Sequence, residues 1–141
     1  MTETRNVFTY GSLMFPVVWD RVVQGHYRSS EATIHGFQRL RIRCELYPAL
    51  IINPNACLLT GRIYHAVSAS DIARLDHFET SHYARVPIAV TVGDNALAAD
   101  AYLTLKPQTL EQVEWRPEDF ERDDLESFLA TYAATYAPPA Y

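Results

Sequence analysis

The chain has 141 residues, of which 48% are hydrophobic and 12% aromatic, and its formal net charge is −5. That length suits one domain whose core needs neither disulfides nor metal, and the composition excludes a disordered chain. The acidic balance argues against a nucleic-acid partner, because phosphate binding calls for a basic surface, and no apolar run approaches the ~20 residues that cross a bilayer.

In chain order, Val7-Phe8-Thr9-Tyr10 is β-branched and aromatic with apolar residues on both faces, the pattern of a buried strand. Gly11 ends it and allows a sharp turn, after which the amides are free to converge on an anion or a carbonyl oxygen. Pro16 fits the first turn of a short helix with Val18 and Val22 on one face, ended by Gly25. Glu31 to Ile42 reads as one or two strands broken near Gly36. Arg39, Arg41 and Arg43 alternate there and so share a face, read as solvated, with an anion site as the alternative. Ala49 to Ile52 is a short strand, Asn53-Pro54-Asn55 a turn, and Cys57 to Val67 is extended with Leu59, Ile63 and Val67 inward. Cys44 and Cys57 each sit among apolar residues and read as buried free thiols, although spacing alone sets no pairing.

Ser68 and Asp71 have capping-box spacing, and Ile72, Leu75 and Phe78 then recur every three positions, which predicts a helix with one buried side. Val86, Ile88, Val90 and Val92 alternate as in a half-buried strand, whose start Pro87 pushes toward an edge or bulge. Gly93-Asp94-Asn95 turns the chain into Ala98 to Leu105, giving a hairpin. Asp123 or Asp124 caps a last helix, about 123–137, in which Leu125, Phe128, Leu129, Tyr132 and Tyr136 form a stripe packed on the sheet, with Trp115 and Phe120 anchoring its approach. Many short strands, few helices and no β-α-β rhythm predict an α+β fold, a small mixed β-barrel with surrounding helices in a single domain over residues 1–141. Met1 to Asn6 is polar, without the apolar stretch of a secretory signal, so a cytoplasmic location is expected.

Several segments fall in a telling order: Tyr10-Gly11-Ser12-Leu13, then Leu46-Tyr47-Pro48-Ala49-Leu50, Gly61-Arg62-Ile63-Tyr64, and Leu75-Asp76-His77-Phe78-Glu79 followed by Tyr83 and Arg85. Together they resemble the γ-glutamylcyclotransferase-like family, and more closely its AIG2-like, γ-glutamylamine cyclotransferase branch. The likeness runs from about Val7 to Tyr102. Many relatives continue the first motif with Arg, Gly and Asn, where this chain has Met14-Phe15-Pro16, which leaves the leaving-group side of the pocket open.

The resemblance implies a cofactor-independent reaction on a small γ-glutamyl amine or peptide. The substrate's own α-amine attacks its γ-carbonyl, closing 5-oxoproline and expelling an amine. Glu79 would be the general base and then acid. At a helix C-terminus beside Phe78 its carboxyl pKa is expected to rise. The amides of Tyr10, Gly11, Ser12 and Leu13 would hold the α-carboxylate or the oxyanion, and Tyr47, Tyr83 and Tyr102 would line the pocket. Taken alone, Tyr-Gly-Ser-Leu is neither a phosphate loop nor a nucleophile elbow. His77 and His82 flank Glu79 without zinc-protease spacing, and His26, His35 and His65 are dispersed, so no metal is expected. Two other readings stand beside the cyclotransferase: a non-catalytic small-molecule binder, and another amide-cleaving or acyl-transfer activity on the same scaffold.

Overall fold

The computed structural model describes residues 4–43, 48–79, 83–105 and 110–130. Strand β1 (Thr4–Thr9) leads through a 3-10 turn (Ser12–Met14) into α1 (Pro16–Val22). Strands β2 (Ser29–Ile34), β3 (Phe37–Ile42), β4 (Pro48–Ile52) and β5 (Leu59–Ser68) follow, then helix α2 (Ala69–Glu79). Strands β6 (Tyr83–Val92), β7 (Asn95–Thr104) and β8 (Leu110–Glu114) precede two short helices, α3 (Pro117–Asp123) and α4 (Leu125–Phe128).

Five strands form a ring in the order β1-β5-β2-β6-β7, and β4-β3-β8 make a smaller sheet. The ring has three broad antiparallel seams, β1–β5, β2–β5 and β6–β7. The other two are narrow: β1 meets β7 in parallel at Val7↔Asp100, and β2 meets β6 at Thr33↔Thr91. Because β6 is paired on its second side only near Thr91, Pro87 sits where its missing N–H costs no ladder bond. The β6–β7 hairpin closes Val92 onto Asn95 through Gly93-Asp94, and Gly93 has the φ of +60° that such a tight turn demands.

Neighbouring residues of β1 enter different cores, as a period of two requires. Phe8 joins Ile34, Ile63, Val90 and Ala101, residues of all five ring strands, inside the barrel. Val7 joins Val18, Trp19, Val22, Leu75 and Phe120 in the layer between barrel and helices. There the Trp19 ring stacks on Tyr64 at 3.6 Å, fastening α1 to β5. Gly61 lets β5 approach β1: a Cβ there would lie 2.3 Å from the Thr9 carbonyl and 2.5 Å from the Phe8 ring.

The structure corrects several expectations. Arg39 is buried, unlike Arg41 and Arg43, and the β3–β8 register shifts between Leu40 and Ile42, so the three arginines do not form one solvated face. Cys57 is exposed, because strand β5 starts only at Leu59; Cys44 lies outside the described residues. Helix α1 ends at Val22, with Val23 as its C-cap, rather than at Gly25, whose amide instead binds Asp71 at 2.9 Å. Ser68 Oγ accepts the Asp71 amide, but the Asp71 carboxylate turns to the Gln24 and Gly25 amides, the Tyr27 hydroxyl and Arg74, so only half of a capping box forms. Strand β8 and helix α3 arise in segments whose residue pattern predicts no element. Of the final helical stripe, Phe128 is buried and Leu125 and Leu129 pack on the core, while Tyr132 and Tyr136 lie outside the described residues.

Candidate active site around Glu79

Helix α2 leaves the Ser68 cap and packs its Ile72-Leu75-Phe78 side on the apolar layer, and its last residue, Glu79, ends within electrostatic range of Tyr10, the residue that follows β1. Leu13, from the turn after β1, shares that apolar layer with Leu75, Phe78, Tyr83 and Tyr102. Glu79 itself is half-buried. Its carboxyl pKa is pushed up to about 8, first by burial and then by the negative charge of Asp76 three residues back on the same helix. The expected rise is present, and Asp76 is a cause that the helix end and Phe78 did not include.

The phenol of Tyr10 lies within electrostatic range of Glu79, and burial first, Glu79 second, raises its pKa well above the ordinary value. Its hydroxyl donates to the Tyr102 carbonyl at 2.5 Å and receives a backbone hydrogen bond from Leu50. Tyr102 is raised as well, by burial and then by its hydrogen bond to Asp76, with Glu79 contributing. These tyrosines therefore sit beside Glu79 as neutral phenols.

The first motif turns as expected. Met14 N–H returns to the Gly11 carbonyl at 3.0 Å and Phe15 N–H to that of Ser12 at 3.2 Å. No acceptor among the described residues takes the amides of Gly11, Ser12 and Leu13. Gly11 is buried against Pro48: a Cβ would lie 2.9 Å from that ring. Pro48 in turn gives its carbonyl to the Tyr83 hydroxyl at 3.1 Å, and Tyr64 donates to the Leu13 carbonyl at 3.3 Å. Three of the motifs, from β1, β4 and the start of β6, thus meet at one place. Tyr47 lies outside the described residues.

Behind Glu79 stands a charged network. Asp76 accepts from Tyr102 at 2.7 Å and from Arg85 Nε at 2.9 Å. Arg85 also reaches the buried Asp100 at 2.6 Å, which Arg5 approaches from the other side at 3.3 Å. The arrangement holds the Asp76 side chain in place one helical turn before Glu79. Among the described residues, no group of three His, Cys, Asp or Glu side chains could hold a metal ion.

A sequence profile of the family described as gamma-glutamyl cyclotransferase, AIG2-like, matches residues 7–124. The chain belongs to this family. AIG2-like protein A of Arabidopsis thaliana is 27% identical over 133 residues, which cover 92% of this chain and 80% of that protein. Protein AIG2 C of the same plant is 26% identical with the same coverage. A solution structure of an Arabidopsis thaliana protein superposes with a TM-score of 0.69 at 26% identity, covering 97% of this chain and 96% of the other. A structure titled gamma-glutamyl cyclotransferase superposes with a TM-score of 0.63 at 14% identity over 99% and 91% of the two chains, a likeness of fold.

Two carboxylates of this charged network, Asp76 inside a motif and Asp100 outside all of them, carry no role that the motifs assign. Asp76 could have been found from the sequence, since it lies one turn before Glu79 on a predicted helix. Asp100 could not: a carboxylate on an alternating strand reads as solvent-facing until its arginine partners are placed.

Proposed function

We propose that this protein is a cofactor-independent cyclotransferase that releases 5-oxoproline from a γ-glutamyl amine or γ-glutamyl peptide, with Glu79 as the proton carrier. The observation that carries this reading is a half-buried carboxyl with its pKa raised to about 8, within electrostatic range of Tyr10, whose following turn has amides with no acceptor among the described residues. The Glu79 carboxylate takes a proton from the substrate's α-ammonium, and the freed amine forms a bond to the γ-carbonyl carbon. Amides of Gly11, Ser12 and Leu13 receive the oxyanion or hold the α-carboxylate. As the intermediate collapses, the bond from the γ-carbon to the leaving nitrogen breaks and Glu79 returns its proton to that nitrogen. The second proton shed by the attacking nitrogen also ends on the departing amine, which leaves as an ammonium.

Tyr83 and Tyr102 support rather than react, since their hydroxyls are engaged by the Pro48 carbonyl and by Asp76. Tyr10 acts as a wall and as an anchor for its own turn. Incubating the full chain with γ-glutamyl amines and γ-glutamyl amino acids tests the proposal: 5-oxoproline is expected from at least one class. Free glutamate in its place would support a hydrolase, and no product from any substrate would leave a binder. A Glu79→Gln variant that keeps ligand affinity and loses turnover is the result expected of a catalyst.

A further inference from the structure

Arg39 is the residue whose placement the proposed function does not explain. It is 7% exposed, and no carboxylate of a described residue lies within salt-bridge distance of it. A buried guanidinium without a counter-ion is costly, and a Met or Leu of similar volume would fill the space at lower cost. Its donors go to main-chain oxygens at the ends of three elements and, from Nη1 at 3.8 Å, to Met14 Sδ. Nη1 reaches the Tyr10 carbonyl at 2.9 Å and the Thr60 carbonyl at 3.5 Å, while Nε reaches the Trp115 carbonyl at 3.1 Å, with the Trp115 ring 5.4 Å beneath the charge. Burial lowers its pKa, and Glu114 and Glu118 across an adjoining cavity of about 480 Å³ partly offset this.

The shortest of these bonds falls on the peptide that opens the turn. Tyr10 C=O and Gly11 N–H belong to one planar trans unit and point in opposite directions. Drawing the oxygen toward Arg39 therefore aims the Gly11 N–H away from it, and a cation on the oxygen makes that N–H a stronger donor. The grip is double, because Arg39 pairs across the β3–β4 ladder with Leu50, which binds the other end of Tyr10 at its phenol. One cross-strand pair thus fixes the residue before the turn at both ends.

We infer that Arg39 is a positioning residue: through the Tyr10–Gly11 peptide it orients and polarises the Gly11 amide toward the reacting group. This rests on the cyclotransferase reading for its kinetic readout but not for its structural one. The experiment uses the full chain with Arg39→Ala, followed both by turnover and by the amide resonance of Gly11 in labelled protein. The expected result is a fall in kcat of about 10- to 100-fold with KM changed little, as for weakening one oxyanion donor. The Gly11 resonance moves as its hydrogen-bonded peptide is released. The cavity beside Arg39 gives a free guanidinium ion access, so low, non-denaturing guanidinium restores part of kcat and tetramethylammonium does not.

A folded Arg39→Ala protein with unchanged kcat and an unmoved Gly11 resonance overturns the inference. If the unmodified chain turns over no γ-glutamyl substrate, the activity proposal fails and the Gly11 resonance alone decides: moved supports the role of Arg39, unmoved rejects it. Should Arg39→Ala not fold, Arg39→Gln, which keeps an N–H donor without the charge, takes its place. A lowered kcat and a moved Gly11 resonance in that variant support the role, and no change in either overturns it.

Discussion

Replacing Glu79 by Gln removes a titration and leaves a similar shape, so its effect on stability has a definite sign. The folded pKa of about 8 lies above the ordinary 4.5, and the folded state holds an extra proton between those values. That contribution to stability is complete below about pH 4.5 and is lost as pH rises through 8. A carboxyl shifted that far destabilises its own ionised form by ~5 kcal/mol, and water reaching a half-buried side chain reduces this to ~2–4 kcal/mol. Thermal unfolding of both proteins from pH 5 to pH 9 reads it out. The two should melt within a few degrees of each other at pH 5, and the Gln variant should be the more stable at pH 9 by on the order of 10 °C. Subtracting the curves removes groups that the substitution does not touch. Parallel curves across the range would show that Glu79 titrates as an ordinary surface carboxyl, and the reasoning from burial would fail.

Three further substitutions separate the supporting parts. Asp76→Asn removes the like charge beside Glu79, so the Glu79 pKa falls, and the pH at which activity rises should move down by ~0.5–1, seen in a kcat/KM profile. Gly61→Ala drives a methyl into the Thr9 carbonyl and the Phe8 ring, and urea unfolding should register a loss of ~2–3 kcal/mol or more. Asp71→Asn strips a buried carboxylate of its ion pair with Arg74, and a loss of ~3–5 kcal/mol is expected near neutral pH. Burial would raise the Asp71 pKa, but hydrogen bonds from Tyr27, Gln24, Gly25 and Arg74 outweigh it and set it below 3.8. The difference between variant and parent should therefore shrink only as pH falls below that value.

What could be read from the chain was what periodicity and local chemistry encode. The alternation of Val86 to Val92, the glycine at the hairpin, the serine cap at Ser68 and the apolar side of α2 each follow from near neighbours. The end of α2 at Glu79 and the rise of that carboxyl's pKa were legible because a helix end and a motif coincide there. The missed features are those decided by distant contacts. Strand β8 carries only Leu110 and Val113 as apolar markers, and the β3 residues that pair with it lie some seventy positions earlier. Arg39 reads as solvated because its partners are carbonyls, which a sequence does not display. Cys57 has apolar neighbours, but Leu58 beside it is exposed, and burial begins only where Leu59 enters the barrel.

The measurement that bears most directly on the chemistry is the pH dependence of kcat/KM for 5-oxoproline release, run side by side for the unmodified chain and Glu79→Gln. A carboxyl that must lose its proton before accepting one from the substrate gives a rate rising with a midpoint near pH 8, and the variant loses that limb together with ~10²-fold or more of its rate. Equal rates in the two proteins, or a limb near pH 4.5, would remove Glu79 from the reaction.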